Sequence, residues 1–447
     1  MPYIGRDTDK LSNIEVLDNI TFDGSSSYTL QKGGSNFTPS SANNILISID
    51  GVVQAGNFTV SSSTIDFGTA VAGTSTCDFI LHYGIGLITT PSDGTVTTAK
   101  LADSSVTAAK ITDATITAAK LASGTIQNQS AFKNIIINGD MSQAQRATST
   151  SSITGSGYHT IDRFYLVNGG MGTWTQSQST DVPTGQGFAK SLKMECTTAD
   201  ASPAASDELV LRQQIEGQML QYLKKGTTSA ESLTLSFWIK ATKTGTNIVE
   251  LFDFDNTRQI SQSYTISSAN TWEKKTVTFT GDTSGVLGND NGASLGVQFS
   301  LGAGSNFTSG TLSTTWTSST NADRFVGQVN HADSTSNEWY ITGIQLEAGT
   351  TASDFEFLPY DVNLLRCQRY YYVHISTQSY YTGVNRGNNY NIYENTFPVE
   401  MRAAPSLTET SGFGWFLGNA TKQLFPAYHD PASSTKFPPS YTANAEL

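Results

Sequence analysis

Two patterns in this chain carry the residue types and spacing of hydrolytic chemistry. Asp253 and Asp255 alternate with Phe252 and Phe254. A strand there would put both carboxylates on one face, roughly 6–7 Å apart. That separation is close to the range in which paired carboxylates cleave glycosidic bonds. An ordinary amphipathic strand, with phenylalanines inward and aspartates in water, explains the same alternation, and no neighbouring residue raises either pKa. Gly292-Ala-Ser294-Leu-Gly296 has the spacing of a nucleophile elbow, which requires a strand, a sharp turn and then a helix. Here a Gly/Asn/Asp loop precedes the serine and the alternating Val297-Gln-Phe-Ser-Leu follows it, so the elbow is not expected. The loop from Gly281 to Gly292 is rich in oxygen ligands but lacks the EF-hand spacing and its final Glu. Calcium sites draw on such loops, but a plain loop of Asx turns is the favoured reading, with a structural calcium as the alternative. The sequence therefore assigns no catalytic residue, metal or cofactor, and the protein is expected not to be an enzyme.

A different chemistry is written near the end of the chain. Tyr380 and Tyr381 are followed by Asn385, Arg386, Asn388, Asn389, Tyr390 and Tyr393. Aromatic rings interleaved with amide and guanidinium donors suit sugar recognition, in which a pyranose face lies on a ring and planar donors pair with hydroxyls. Rigid rings also give large contact area at low entropic cost in protein binding. Packing of the tyrosines between copies of the chain explains the cluster too. Trp415, between Gly414 and Gly418, is either a loop-tip contact or core. Tyr370 to Tyr372 read as core.

Composition narrows the partners. The chain has 447 residues, 14% charged side chains, a net charge of −12 and 22 Phe beside 18 Tyr. An acidic protein lacks the basic footprint that phosphate binding needs, so nucleic acid is not an expected partner. Cys77, Cys196 and Cys367 are dispersed and without CxxC spacing, which fits buried reduced thiols and neither a disulfide framework nor a zinc site. No N-terminal stretch reads as a signal segment and no run of 18 apolar residues spans a membrane. Synthesis in a reducing cytoplasm and no membrane insertion are the expectations.

Between Asp93 and Ile126 a ten-residue phrase recurs three times, placing Val96, Leu101, Val106, Ile111, Ile116, Leu121 and Ile126 five residues apart. Five steps turn an α-helix through about 140°, which scatters these side chains around it, and on a strand each step reverses the face. One chain cannot bury such a ladder, so it predicts a thin shaft of three parallel chains. A flexible Thr/Ala linker that arose by duplication is the alternative.

The elements that must position these residues are strands. In residues 1–90, Ile45-Leu-Ile-Ser-Ile-Asp50-Gly51-Val-Val-Gln predicts a hairpin, because both turn positions favour φ > 0. Phe58–Val60, Ile65–Phe67 and Phe79–Tyr83 complete a small β domain. Residues 91–130 form the shaft. Across 131–358, alternation in Leu233–Ile239, Thr276–Thr280, Leu295–Leu301 and Glu338–Leu346 predicts a jelly-roll-like sandwich of two sheets. Residues 207–225 read equally as helix or strand. Residues 359–447 form a small α+β tip, with Asp361 capping a short helix that carries Leu364, Gln368 and Tyr371 along one side.

Several phrases resemble tail fibres of marine, T7-like bacteriophages: Asn134-Ile-Ile-Ile-Asn-Gly-Asp-Met-Ser-Gln-Ala-Gln-Arg146, Asp162-Arg-Phe-Tyr, Leu235-Ser-Phe-Trp-Ile-Lys, Asn270-Thr-Trp-Glu-Lys-Lys and Tyr340-Ile-Thr-Gly-Ile-Gln-Leu-Glu-Ala-Gly. Leu365-Arg-Cys-Gln-Arg-Tyr-Tyr and Phe397-Pro-Val-Glu-Met-Arg-Ala-Ala-Pro look like the terminal module of such fibres. The Thr-Ala-Lys-Leu repeats and the Gly51-Val-Val-Gln hairpin resemble other fibre segments, so the likeness runs over nearly the whole chain. It implies a mainly β, elongated homotrimer of the virion tail. The N-terminal domain would engage tail or adaptor proteins. The middle sandwich would be of a carbohydrate-binding type. The tip would meet a host polysaccharide or outer-membrane receptor. A tailspike-like glycan hydrolase and a purely structural spacer are the rival functions.

Overall fold

The computed structural model describes residues 12–85, 97, 101–102, 105–107, 132–376, 384–385, 391–411, 415–429 and 439–447. The chain divides into two compact units, Met1–Gln127 and Asn128–Leu447. Of the ladder residues, Leu101 and Val106 lie among those described, 46% and 53% exposed. Val96, Ile111, Ile116, Leu121 and Ile126 lie outside them.

In the N-terminal unit the expected hairpin forms between strands Ile45–Ile49 and Val52–Gln54. Asp50 and Gly51 take φ of 51° and 74°, the double positive turn that matches strand twist. These strands join Ser12–Leu17 and Cys77–Ile85 in a four-stranded sheet. Leu17, Leu30, Ile45, Ile47, Ile65 and Ile80 make its core.

The larger unit is a two-sheet sandwich, and its strands are numbered from its own first. They are β1 (Ser149–Ile153), β2 (Gly157–Tyr158), β3 (Tyr165–Asn168), β4 (Thr173–Ser179), β5 (Ser191–Thr198), β6 (Glu208–Glu216) and β7 (Leu233–Ala241). There follow β8 (Gly245–Asp253), β9 (Arg258–Ile266), β10 (Glu273–Phe279), β11 (Ala293–Ala303), β12 (Thr317–Ser318) and β13 (Glu338–Ala348). One sheet runs β1-β4-β5-β13-β7-β10 and the other β2-β3-β6-β11-β8-β9-β12, all antiparallel. The ambiguous stretch 207–225 resolves as strand β6 followed by two 3-10 turns, Gly217–Met219 and Gln221–Leu223. Alternation explains the layering. Leu235, Phe237 and Ile239 point into the shared core with Trp174, Phe299 and Trp339. Burying one Phe of this kind contributes about 2–3 kcal/mol.

A single residue keeps β13 in phase. Ser236 pairs with Gln345 and Trp238 with Thr342, so Gly343 and Ile344 together oppose Phe237. Gly343 has φ of 63°, which makes this a glycine-led β-bulge. Before the bulge Trp339 and Ile341 face the core, and after it Ile344 and Leu346 do. Without the extra residue, the parity of 2 would turn one of these pairs outward.

Past the sandwich, a helix spans Tyr360–Gln368 with Pro359 at its N-cap, so Asp361 sits in the first turn and caps nothing with its side chain. Its buried residues are Asn363 and Cys367, one residue, or about 100° around the helix, from the expected stripe of Leu364 and Gln368. Tyr371–His374 is a strand, paired with Tyr441–Asn444. Buried charges join this terminal part to the sandwich. Arg163, 0% exposed, pairs with Glu446, donates to the Gln214 carbonyl at 2.7 Å and lies 3.5 Å from the Tyr370 ring centre. Arg369 clamps the buried Glu216 carboxylate through two bonds of 2.8 and 2.7 Å. Arg402 bonds the Asn291 carbonyl at 2.9 Å. Among the described residues no helix is long and apolar enough to cross a membrane.

Candidate functional site

Core residues of β7, β10 and β13 fix which side chains look outward from the six-stranded sheet. Residues paired across antiparallel strands share a face. Trp238 of β7 pairs with Lys274 of β10 and with Thr342 of β13, and Lys240 pairs with Tyr340, which pairs with Lys193 of β5. Two adjoining patches of different character result.

The first patch is closed on itself. Tyr340 donates to Glu338 at 2.7 Å. Lys193 pairs with Glu338 at 2.8 Å. The Trp272 indole donates to Asp181 at 2.9 Å, and Lys240 pairs with the same carboxylate. The Lys240 ammonium also stands 4.2 Å from the Tyr340 ring centre. Burial opposes ionisation of Asp181 and Glu338, but the bonds from Lys240 and Lys193 outweigh it and hold both carboxyls below their usual range. Burial and the bond to Glu338 together push the Tyr340 phenol up to about 12.

The second patch is a groove of about 160 Å³, lined by Gln186, Phe188, Ser236, Trp238, Lys274, Gly343, Asp354, Phe355 and Phe357. One wall is a packed aromatic trio. The Phe188 ring lies 5.0 Å from Phe355 and 5.1 Å from Phe357, and the last two lie 4.8 Å apart. The segment carrying Phe355 and Phe357 is tied down over the sheet. Glu347 accepts the Ser353 amide at 2.8 Å and its hydroxyl at 2.6 Å. The Glu356 amide donates to Gln345 at 2.8 Å, and the Glu356 carboxylate accepts the Asn134 amide at 2.9 Å. Phe357 nevertheless leaves 50% of its surface exposed. At the floor, Gly343 admits the Phe188 ring: a Cβ there would lie 2.5 Å from Cζ of Phe188.

The polar groups of the groove differ from those of its neighbour. Among the described residues, the side chains of Gln186, Ser236, Trp238, Lys274 and Asp354 have no hydrogen-bond or ion-pair partner. An aromatic-walled groove with an indole N–H, an amide, a hydroxyl, an ammonium and a carboxylate unmet is equipped to receive a ligand that is flat and apolar on one side and hydroxylated at its edge. Sequence reasoning missed this site because its residues come from five separate segments, with no local spacing to mark them.

The residues expected to bind a receptor are placed only in part. Tyr380, Tyr381, Arg386, Asn388, Asn389 and Tyr390 lie outside the described residues. Asn385 belongs to strand Val384–Asn385 and Tyr393 to strand Asn391–Thr396, which pair with each other. Trp415 is 8% exposed and packs in the terminal core with Phe397, Met401, Phe425 and Tyr441.

The hydrolytic patterns do not form their sites. Strand β8 ends at Asp253, and Asp255 lies in the turn beyond it, so the two carboxylates do not share a strand face. The expected orientation is also reversed. Asp253 is 0% exposed, while Phe252 and Phe254 are half-buried. Lys225 pairs with Asp253, and Asn256 Nδ2 donates to it at 3.0 Å, which makes its burial tolerable. Asp255 accepts the Gly288 amide at 2.8 Å. Ser294 is buried inside strand β11, which runs on to Ala303, so the serine sits within a strand and not at a strand-to-helix turn. In the oxygen-rich loop, Asp282 is taken by Arg258 through bonds of 2.8 and 3.0 Å and by Lys225 at 2.9 Å. Among the described residues no group of three or more His, Cys, Asp or Glu could hold a metal ion.

No family model matches this chain, and no curated protein matches it. Solved structures similar to it include the enzymatically active domain of tailspike protein 4 from bacteriophage CBA120, at 14% identity over 48% of this chain and 21% of that one, with a TM-score of 0.25. A CBM4 structure is 12% identical over 47% of this chain and 97% of its own, with a TM-score of 0.25. TmCBM61 in complex with β-1,4-galactotriose is 9% identical over 48% of this chain and 98% of its own, with a TM-score of 0.24.

Proposed function

We propose that this protein is a glycan-binding fibre of a phage tail, which adsorbs the virion to a host cell surface and does no chemistry there. One observation carries the reading. On a single sheet face, the groove beside Trp238 and Phe357 keeps its polar groups unmet by any described residue, while the adjoining patch satisfies its own. A pyranose offers the complement: an axial C–H face for the rings and equatorial hydroxyls for Trp238, Gln186, Ser236, Asp354 and Lys274. The fibre setting is supported by the tail-fibre phrases along the chain and by the five-residue apolar ladder, which one chain cannot bury. Tail or adaptor proteins are the proposed partners of the N-terminal unit, and the virion tail is the proposed location. Weak groove contacts repeated in three parallel chains would raise effective concentration and convert modest affinity into firm attachment.

The test is competition. Purified full-length protein, added to host cells before phage, is expected to reduce adsorption in proportion to its occupancy, with host polysaccharide left at its original length. A protein that never competes is a spacer. Release of reducing ends from the polysaccharide would make it a hydrolase.

A further inference from the structure

The four-stranded sheet of the N-terminal unit is apolar on both of its faces. Its inner face carries Leu17, Ile45, Ile47, Cys77 and Ile80 into the core. The outer face is set by register. Ile14 lies beside Tyr83, Val16 beside Leu81, Leu81 beside Leu46, and Phe79 and Val53 both beside Ser48. Ile14, Val16, Val53 and Tyr83 are 56%, 65%, 47% and 39% exposed, with Leu46, Phe79 and Leu81 half-buried among them. The carboxylate at its margin, Asp78, is taken by the Ser48 hydroxyl at 2.8 Å and the Gly51 amide at 2.7 Å.

We infer that this outer face is where copies of the chain meet one another, an inference that rests on the fibre reading and names its mating surface. Three observations favour a second copy as the occupant. The four exposed side chains and the three half-buried ones among them make one contiguous apolar patch, the kind of surface that marks an interaction site and not a solvated face. The paired rows hold no charged residue, and the one carboxylate beside them, Asp78, is already bonded by Ser48 and Gly51, so two chains of net charge −12 oppose few like charges there and a charged partner finds little to pair with. The same unit continues into the ladder, where Leu101 and Val106 are also exposed. Parallel association along that ladder brings identical sheets to one end.

Cross-linking tests this on the full-length chain. The native thiols Cys77, Cys196 and Cys367 are buried, so Val16→Cys presents the accessible thiol, and Thr59→Cys, exposed on another sheet, serves as control. A bismaleimide is expected to join Val16→Cys chains at least tenfold more than the control, and a second substitution, Val53→Lys, is expected to abolish the product. Light scattering on the same samples separates the failures. A multi-copy species with no excess of Val16→Cys product overturns the mating surface and leaves the fibre. A single-copy species overturns both.

Discussion

Trp238 and Lys274 stand opposite each other on β7 and β10, with no partner for either side chain among the described residues, whereas Lys240, two residues along β7, and Trp272, just before β10, share the Asp181 carboxylate. The two pairs have the same chemistry and opposite states. One is folded into the protein's own network, and the other is left for a ligand.

The closed pair supplies a first prediction. Trp272→Ala removes a donor from Asp181 and a ring from beneath Lys240, so it should lower stability by about 1–2 kcal/mol. Glycan affinity should change less than about threefold. Urea denaturation and calorimetric titration on the same preparation measure the two effects.

Gly343 links fold to groove. Alanine there must adopt a φ of 63° and push its Cβ into the Phe188 ring. Gly343→Ala is expected to destabilise by about 1–3 kcal/mol and to weaken sugar binding by displacing Phe188 from Phe355 and Phe357. Gly185→Ala, also at positive φ but with open space around it, should lose stability and keep affinity.

At the seam between sandwich and terminal part, Glu446→Ala leaves Arg163 buried without its carboxylate. Breaking a buried pair of this kind costs about 3–5 kcal/mol. Thermal unfolding should show that loss, and the double variant Arg163→Met, Glu446→Leu should recover much of it.

The pH dependence follows from two buried groups acting in opposite senses. Burial, reinforced by Lys243, pushes His331 down to about 3. Its neutral folded form therefore contributes stability above the unfolded value near 6.5, lost as pH falls. Burial raises Asp162 to about 6 against the bonds from Gln145. Its protonated folded form contributes stability at low pH that is lost as pH rises from about 4 to 6. Between about pH 4.5 and 6 the two slopes oppose each other. His331→Gln removes the His331 contribution, so relative to wild type its stability should fall with rising pH in that window, by at most about 1.4 kcal/mol per unit. Chemical denaturation of both proteins at pH 4.5, 5.2 and 6 would show the difference, and equal slopes in the two proteins would count against the His331 assignment.

Much of the fold was legible because its signals are local. Asp50-Gly51 fixed a hairpin, and alternation located β7, β10, β11 and β13. The bulge at Gly343 was not legible, since its reason lies in the facing strand: Phe237 must be opposed by two residues for Ile344 and Leu346 to reach the core. Asp253 was misread for a related cause. Alternation alone sends an aspartate to water, but Lys225, 28 residues away, makes the inner position satisfactory. The groove was invisible for the same reason on a larger scale, because Phe188, Trp238, Lys274, Gly343 and Phe357 are neighbours only after folding. Tyrosine density drew attention to residues 380–393, where composition is conspicuous and register is unknown from sequence.

The central claim is that the groove is where sugar binds. Equilibrium titration of solubilised host-surface polysaccharide into the full-length protein, wild type against Trp238→Ala, tests it most directly. Loss of a ring at the centre of the site should weaken binding at least tenfold, equivalent to about 1.4 kcal/mol, with the unfolding curve little changed. Equal affinity in the two proteins would contradict it.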